Sequence, residues 1–350
     1  MTEPALVRFE DTATVYYADT CMPLRAAGDL GRIGLWAYGR ETYPGKPIPP
    51  EVLPALRSVG VWEVNSPQDW GLQWHRNEGI EVTVVTSGRT HFSCDGVDYD
   101  QPAGTVTITR PWQLHRVGRP HIGPSTLSWF IIDVGVRRPN QEWTWPSWLP
   151  MSETDLLRLT QLLSHNERPV WRANRELLDA FGRLDRTLRG ESSRPLSRIA
   201  ICVTEVLIEL AELLEQQDLV LDPRLSSTER TVDLFLQSLT SRLDEEWTVD
   251  KMARECGLGR TRFVHYCRQS VNVTPLELLQ GLRMDYATHL LEENDHSVLD
   301  IALRCGYQSS QYFATVYRRH TGRTPKAVQR AAQEGAEATA LRPARSAALR

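Results

Sequence analysis

A chain of 350 residues, 41% hydrophobic and 24% charged, has the composition of folded globular protein and exceeds what one core holds, so two domains and a connection are expected. No run approaches eighteen apolar residues, and the start MTEPALVRFEDTATVYY has neither a basic lead nor an apolar core; this excludes a membrane partner and predicts a cytoplasmic protein. The net charge of −4 is unevenly spread: residues 247–330 carry 12 Lys and Arg against 8 Asp and Glu, whereas residues 1–246 carry 25 against 34.

In chain order, residues 1–60 hold an arm and the Pro-rich segment 43–50, which either crosses the following domain or is a surface excursion. Residues 80–85, 89–94, 105–109 and 126–133 are β-branched and aromatic, separated by turn signals at Ser87-Gly88, Asp95-Gly96 and Pro102 to Gly104. Such short strands predict an all-β jelly roll. Five of the eleven tryptophans, Trp62, Trp70, Trp74, Trp112 and Trp129, fall in or beside it. Aromatic faces stack on sugar C–H surfaces and nearby polar groups bind hydroxyls, so Trp74, His75, Asn77, Glu81, Arg110, Trp112 and His115 form the candidate ligand site. A sugar or related polar metabolite is the expected effector, although a Trp on a strand is as commonly core.

Helices follow near 152–165, 172–189 and 195–217. The last has an apolar stripe of Ile199, Val203, Val206, Leu207, Leu210, Leu213 and Leu214. That stripe is wide enough to serve both the barrel and a second copy, so a homodimer is expected, with plain intradomain packing the alternative. The composition breaks around 222–228, which reads as a linker. Six cysteines (Cys21, Cys94, Cys202, Cys256, Cys267 and Cys305) lie far apart without metal-type spacing and read as small buried residues.

Residues 248–275 repeat at 297–325. Thr248 matches Ser297, and Val249, Met252, Ala253, Cys256 and Gly257 match Val298, Ile301, Ala302, Cys305 and Gly306; after the glycine the offset grows by one, and Phe263 matches Phe313. In each copy an N-cap hydroxyl precedes one buried face of a short helix, a glycine ends it at positive φ, and a second helix follows. This is a helix-turn-helix plan, with units at about 248–270 and 297–320. The outward residues of the second helices are Arg260, Thr261, Arg262, Val264, His265, Arg268 and Gln269 in one copy, and Gln308, Ser309, Ser310, Gln311, Thr315, Arg318 and Arg319 in the other. None is acidic; they suit base edges and phosphates of double-stranded DNA. Between the copies, Thr274-Pro275 opens a helix whose Leu276, Leu279, Leu282, Ala287, Leu290 and Leu291 predict one continuous apolar stripe.

Residues 240–330, above all LRMDYATHLLEENDHSVLDIALRCGYQSSQYFATVYRRHTGRTP, resemble the DNA-binding domain of the AraC/XylS family of bacterial regulators. The resemblance implies seven helices with two helix-turn-helix units joined by a long helix, and RNA polymerase as a possible further partner of a transcription activator. The N-terminal half resembles a cupin barrel, on residues 75–88 and 104–115. In metal-dependent cupins two His, a Glu and a third His form the site, which maps onto His75, Asn77, Glu81 and His115. Asn77 stands at the second histidine position, and the spacing from Pro111 to His115 is one residue short. A lost ligand points to a pocket reused for an organic molecule, so no metal, cofactor or catalytic residue is expected.

The expected organisation is a multidomain α+β chain: an arm and cupin-like jelly-roll β-barrel over 1–135, a helical linker and dimerisation segment over 136–222, an all-α double helix-turn-helix domain over 230–332 and a disordered tail over 333–350. The expected function is a ligand-responsive, sequence-specific DNA-binding regulator and not an enzyme; the alternative is a metal-dependent cupin oxygenase or isomerase with an accessory helical domain.

Overall fold

The computed structural model describes residues 6–340, apart from 12, 13, 20, 218 and 294. The chain divides into two units, Met1–Arg230 and Thr231–Arg350.

The first unit holds strands β1 (Leu6–Asp11), β2 (Thr14–Asp19), β3 (Gly34–Gly39), β4 (Lys46–Pro47), β5 (Leu56–Val64), β6 (Leu72–His75), β7 (Ile80–Cys94), β8 (Val97–Pro102), β9 (Thr105–Thr109), β10 (His115–Val117), β11 (Ser125–Ile132) and β12 (Val170–Arg172). Strands β1 and β2 form a separate antiparallel pair. The main sheet runs β12-β9-β7-β11-β5-β3-β4, and β6, β8 and β10 complete a second wall through β7. Strand β7 makes this possible. Sequence reading places a turn at Ser87-Gly88, but the strand continues for 15 residues through a bulge: Leu127 pairs with Val85 and Thr126 with Ser87, skipping Thr86. Gly88, at φ 71° and packed against the Pro124 carbonyl, bends the strand from one wall into the other.

Alternation along the strands sorts side chains between two cores. Trp62, Val64, Val85, Leu127, Trp129 and Ile131 face the barrel interior, with Leu24 and Ala27 of α1 (Met22–Asp29) packed among them. Val59, Val61, Ile80, Val82, Val84, Phe130 and Ile132 face the other way. Against them pack α2 (Glu153–Ser164), α3 (Arg175–Arg186) and α4 (Pro195–Glu215). The expected linker over 136–222 is therefore a helical layer of the same unit, and no boundary falls at 135. Every residue of the α4 stripe is buried in this layer; the outward apolar residues are Ile201 and Ile208. The Pro-rich segment is tied down: Tyr43 and Ile48 are buried, and the Arg40 guanidinium donates to the carbonyls of Pro49, Val52, Leu53 and Leu56.

In the second unit, α5 (Thr228–Ser238) precedes α6 (Val249–Glu255) and α7 (Arg260–Val271), then α8 (Pro275–Glu293), α9 (Val298–Arg304), α10 (Ser310–Thr321) and α11 (Pro325–Ala340). The caps are as read from sequence: Thr248 accepts from the Lys251 N–H, Ser297 from that of Asp300, and Thr274 and Glu277 form a capping box. Helix α8 departs from its expected single stripe. Leu276 is 47% exposed, Leu279 joins the first core with Phe263, and Met284, Ala287, Leu290 and Leu291 join a second core with Phe313. Leu279 and Met284 are five residues, about 140°, apart on the helix, so α8 turns a different face to each core. Helix α11 reaches Ala340, so 333–340 are helical rather than a disordered tail, as their alanines favour; residues 341–350 lie outside the described residues.

Candidate functional site

In the barrel, His75, Glu81 and His115 each place one donor atom within 4.8 Å of the others. They arrive from three elements, since β10 pairs His115 with His75 of β6 and with Cys94 of β7. Each imidazole is fixed by its own chain: His75 Nδ1 donates to the Gln73 carbonyl at 2.7 Å and His115 Nδ1 to the Gln113 carbonyl at 2.9 Å. A carbonyl only accepts, so each Nδ1 carries a hydrogen and each ring is held with Nε2 towards the site. His115 Nε2 lies 3.0 Å from Glu81 Oε2, to which the Asn77 amide donates at 2.7 Å. Burial works to raise the Glu81 pKa, but the His115 hydrogen bond, the nearby imidazoles and the Asn77 amide together hold it below the usual carboxylate range.

A cavity of about 20 Å³ opens beside Glu81, lined by Leu24, Tyr43, Ser58, Trp62, Leu127 and Trp129. Trp129 Nε1 donates to Ser58 Oγ, while buried Trp62 Nε1 has no partner. Of the seven expected ligand residues, the structure brings four together: His75, Asn77, Glu81 and His115. Trp74 is 40% exposed on the outer face of β6, with the Arg116 guanidinium 4.8 Å from its ring centroid. The irregular β6–β10 pairing seats Leu72 and His75 inward and leaves Gln73 and Trp74 outward. Trp112 donates to the Val136 carbonyl and packs beside Arg137. Arg110 holds the Asn166 carbonyl at 2.6 Å. The interior tryptophans are Trp62 and Trp129, which strand parity alone could have identified by comparison with Val64 and Ile131.

In the second unit, Arg260, Thr261, Arg262, His265, Arg268 and Gln269 are exposed on α7, and Val264 is half-buried. Arg260 is paired with Asp250 at 3.3 Å, a weak exposed contact it must exchange for any base edge. Gln308, Gln311, Thr315, Arg318 and Arg319 are exposed on and before α10, and Ser309 and Ser310 are half-buried. Two hydroxyls are partly committed to the helix: Ser309 caps it at the Tyr312 N–H, and Thr315 donates to the Gln311 carbonyl. Sequence reading missed Tyr312, 64% exposed in the first turn of α10. Its signal was available: in the pattern that buries Phe313 and Tyr317, position 312 must face out. Arg283 of α8 bridges the two cores. It donates to the carbonyls of Leu243 and Glu245 at 2.9 and 2.7 Å, and its guanidinium lies 5.5 Å from the Tyr307 ring centroid. Gly306 leaves the room for it, since a Cβ there would strike Arg283 and the Leu243 carbonyl.

Residues 63–201 match the family model of the AraC-like ligand binding domain, and residues 252–331 match that of a helix-turn-helix domain spanning both repeats. The chain belongs to the AraC family. It is 26% identical over 263 residues to the HTH-type transcriptional activator RhaS of Escherichia coli O139:H28, covering 73% of this chain and 86% of that one. Identity to the RhaS of Salmonella heidelberg (strain SL476) is 24% over the same shares. Among solved structures, a DNA-binding transcriptional dual regulator from Escherichia coli K-12 is 26% identical with a TM-score of 0.28, over 30% of this chain and 93% of that one. This AraC-family chain is thus a DNA-binding transcription regulator with a cupin-like, β-rich ligand-binding domain and a helical DNA-binding domain. Nothing supports the alternative of a cupin enzyme. Among the described residues, no helix is long and apolar enough to cross a membrane.

Proposed function

We propose that this regulator reads a bipartite duplex site, with α7 in one major groove and α10 in the next, and that a small polar molecule in the barrel modulates the reading. The observation that carries it is a pair of exposed, acid-free second helices, each packed on its own core and both anchored to α8. Arg260, Thr261, Arg262, Val264, His265 and Gln269 face one block, and Gln308, Ser309, Ser310, Gln311 and Thr315 the other; Arg268, Arg318 and Arg319 hold phosphates. Arg260→Ala relaxes base preference in one block only. Arg318→Ala weakens binding to every sequence and lowers the salt slope by about one, as loss of one phosphate contact requires. Titrations of both variants at several salt concentrations check this.

The effector reading rests on Glu81, on the unpartnered Trp62 Nε1 and on the aromatic surface of Trp62 and Trp129. Sugars are the first class to screen, with Trp62 and Trp129, rather than Trp74 and Trp112, as the stacking surfaces. Ligand pockets usually measure roughly 300–1,000 Å³, so the cavity must widen, and α1, whose Leu24 lines it, is the element that gives way. A thermal-shift screen should show a rise in melting temperature with the effector and none with Trp129→Ala; normal response in that variant places the effector elsewhere. The chain works by binding, not turnover, in the cytoplasm as an activator that touches RNA polymerase. It pairs with a second copy through the α4 face that exposes Ile201 and Ile208. The DNA-binding domain spans 230–332, as read from sequence.

A further inference from the structure

We propose that Tyr312 is a specificity-determining residue of the second recognition helix, its ring packed on the methyl group of a thymine in the major groove. This rests on the bipartite reading above and adds to it a base contact that the sequence did not assign.

The repeat gives the position. With Phe263 matching Phe313, Tyr312 stands where the first copy has Arg262. Exposed, half-buried and buried residues follow one another in the same order from 261 to 270 and from 311 to 320, so the two helices present equivalent faces and these two side chains equivalent places on them. That place is the first turn. Ser309 caps α10 at the Tyr312 N–H, 3.3 Å away, and residues near the start of a recognition helix are those that reach base edges. Arg319, assigned above to a phosphate, is seven residues on; it lies on the same flank, about 20° round and roughly 10 Å along the helix.

The ring has no place in the core. Tyr312 is 64% exposed, more than any other Phe, Tyr or Trp among the described residues. It is nonetheless supported: the Tyr307 ring lies 5.9 Å away, tilted by 56°, and is backed in turn by Phe313 at 5.5 Å and by the Arg283 guanidinium. A large side chain already held in position offers contact area at a small entropic cost on binding.

Its surroundings and the chemistry of the groove select the partner. Beside it on the helix, Gln311, Thr315 and Arg319 are exposed and polar or basic, and Val316 packs on the core. The ring is therefore not part of an apolar patch of the kind that docks protein. A duplex shows the edges of its bases in the major groove, not their faces, and the thymine methyl is the apolar group on those edges. Arg262, at the equivalent place in the first copy, suits guanine O6 and N7 instead. A charged fork in one copy against an apolar ring in the other gives the two blocks a physical reason to differ.

The test uses the full chain on a duplex that it binds, with each thymine in turn replaced by deoxyuridine, which removes only the methyl. At one position the affinity should fall by ~3–5-fold, the weight of one buried methyl. Tyr312→Ala should bind the parent duplex about tenfold more weakly and be indifferent to uridine at that position, whereas Tyr312→Phe should keep the sensitivity. Tyr312→Arg, which copies the first unit, should move the preference there from thymine towards guanine, a gain that a misfolded variant does not show. A wild type that registers uridine nowhere, or a Tyr312→Ala variant that registers it as the wild type does, would overturn the assignment. The series runs on any bound duplex, so its failure is distinct from failure of the two-block reading, which the number of enriched blocks decides.

Discussion

Arg283→Ala should weaken binding to a full two-block DNA site by ~10–100-fold while leaving each block's own base preference intact. Arg283 donates charged hydrogen bonds to the carbonyls of Leu243 and Glu245, which precede the first helix-turn-helix, and lies against Tyr307 at the turn of the second. Such bonds are worth about 1.5–3 kcal/mol each, part of which water recovers at a half-buried site. Without them the two recognition helices are coupled through α8 and the long, exposed Gln308–Glu246 contact, and DNA binding must bear the ordering entropy that Arg283 had settled beforehand. The wild type should therefore prefer one block spacing sharply, and the variant should accept spacings one base pair longer or shorter with similar affinity. Affinities over a spacing series measure this. Arg283→Lys should fall between the two, because an ammonium cannot span both carbonyls in the planar geometry of a guanidinium. Equal spacing preference in all three proteins would show that α8 alone sets the distance.

Phe313→Ala should unfold the second helix-turn-helix and leave the first folded. Phe313 is fully buried among Met284, Leu291, Ile301 and Tyr317, a core separate from that of Phe235, Trp247, Met252 and Phe263. Truncating a buried Phe costs about 3–5 kcal/mol, more than so small a cluster is expected to hold in reserve. Hydrogen exchange should show lost protection over 298–321 and retained protection over 249–271. DNA binding should keep one block and lose the other. Simultaneous loss of protection in both segments would mean the two cores melt as one.

The repeat, its caps and its turns were legible because each is a local feature: a hydroxyl before a helix, a glycine at positive φ, an apolar residue every third or fourth position. Residues as far apart as Thr248 and Ser297 needed no knowledge of tertiary structure. What sequence reading missed was which way side chains point once elements bend. Strand β7 passes through a bulge at Thr86, so the apparent break at Gly88 is a bend. Trp74 and His75 are neighbours on β6, but the irregular pairing with β10 turns Gln73 and Trp74 outward and Leu72 and His75 inward, which separates them despite their shared proximity to the motif. Helix α8 carries enough leucine to read as one stripe, but serves two cores on two faces. The α4 stripe was read as wide enough for a partner, yet the three-layer arrangement of barrel sheet, α3 and α4 consumes all of it.

The regulator is proposed to read two unlike blocks through α7 and α10 held at a fixed spacing. Helix α8, with 19 residues, is roughly 28 Å long at 1.5 Å per residue, suited to placing two recognition helices about one DNA turn, or ~34 Å, apart. The most direct measurement is selection of bound duplexes from random DNA by the full chain, followed by sequencing. The expected result is two different enriched blocks about 10 base pairs apart, of which Arg260→Ala degrades one. Enrichment of a single block, or equal degradation of both by Arg260→Ala, would contradict it.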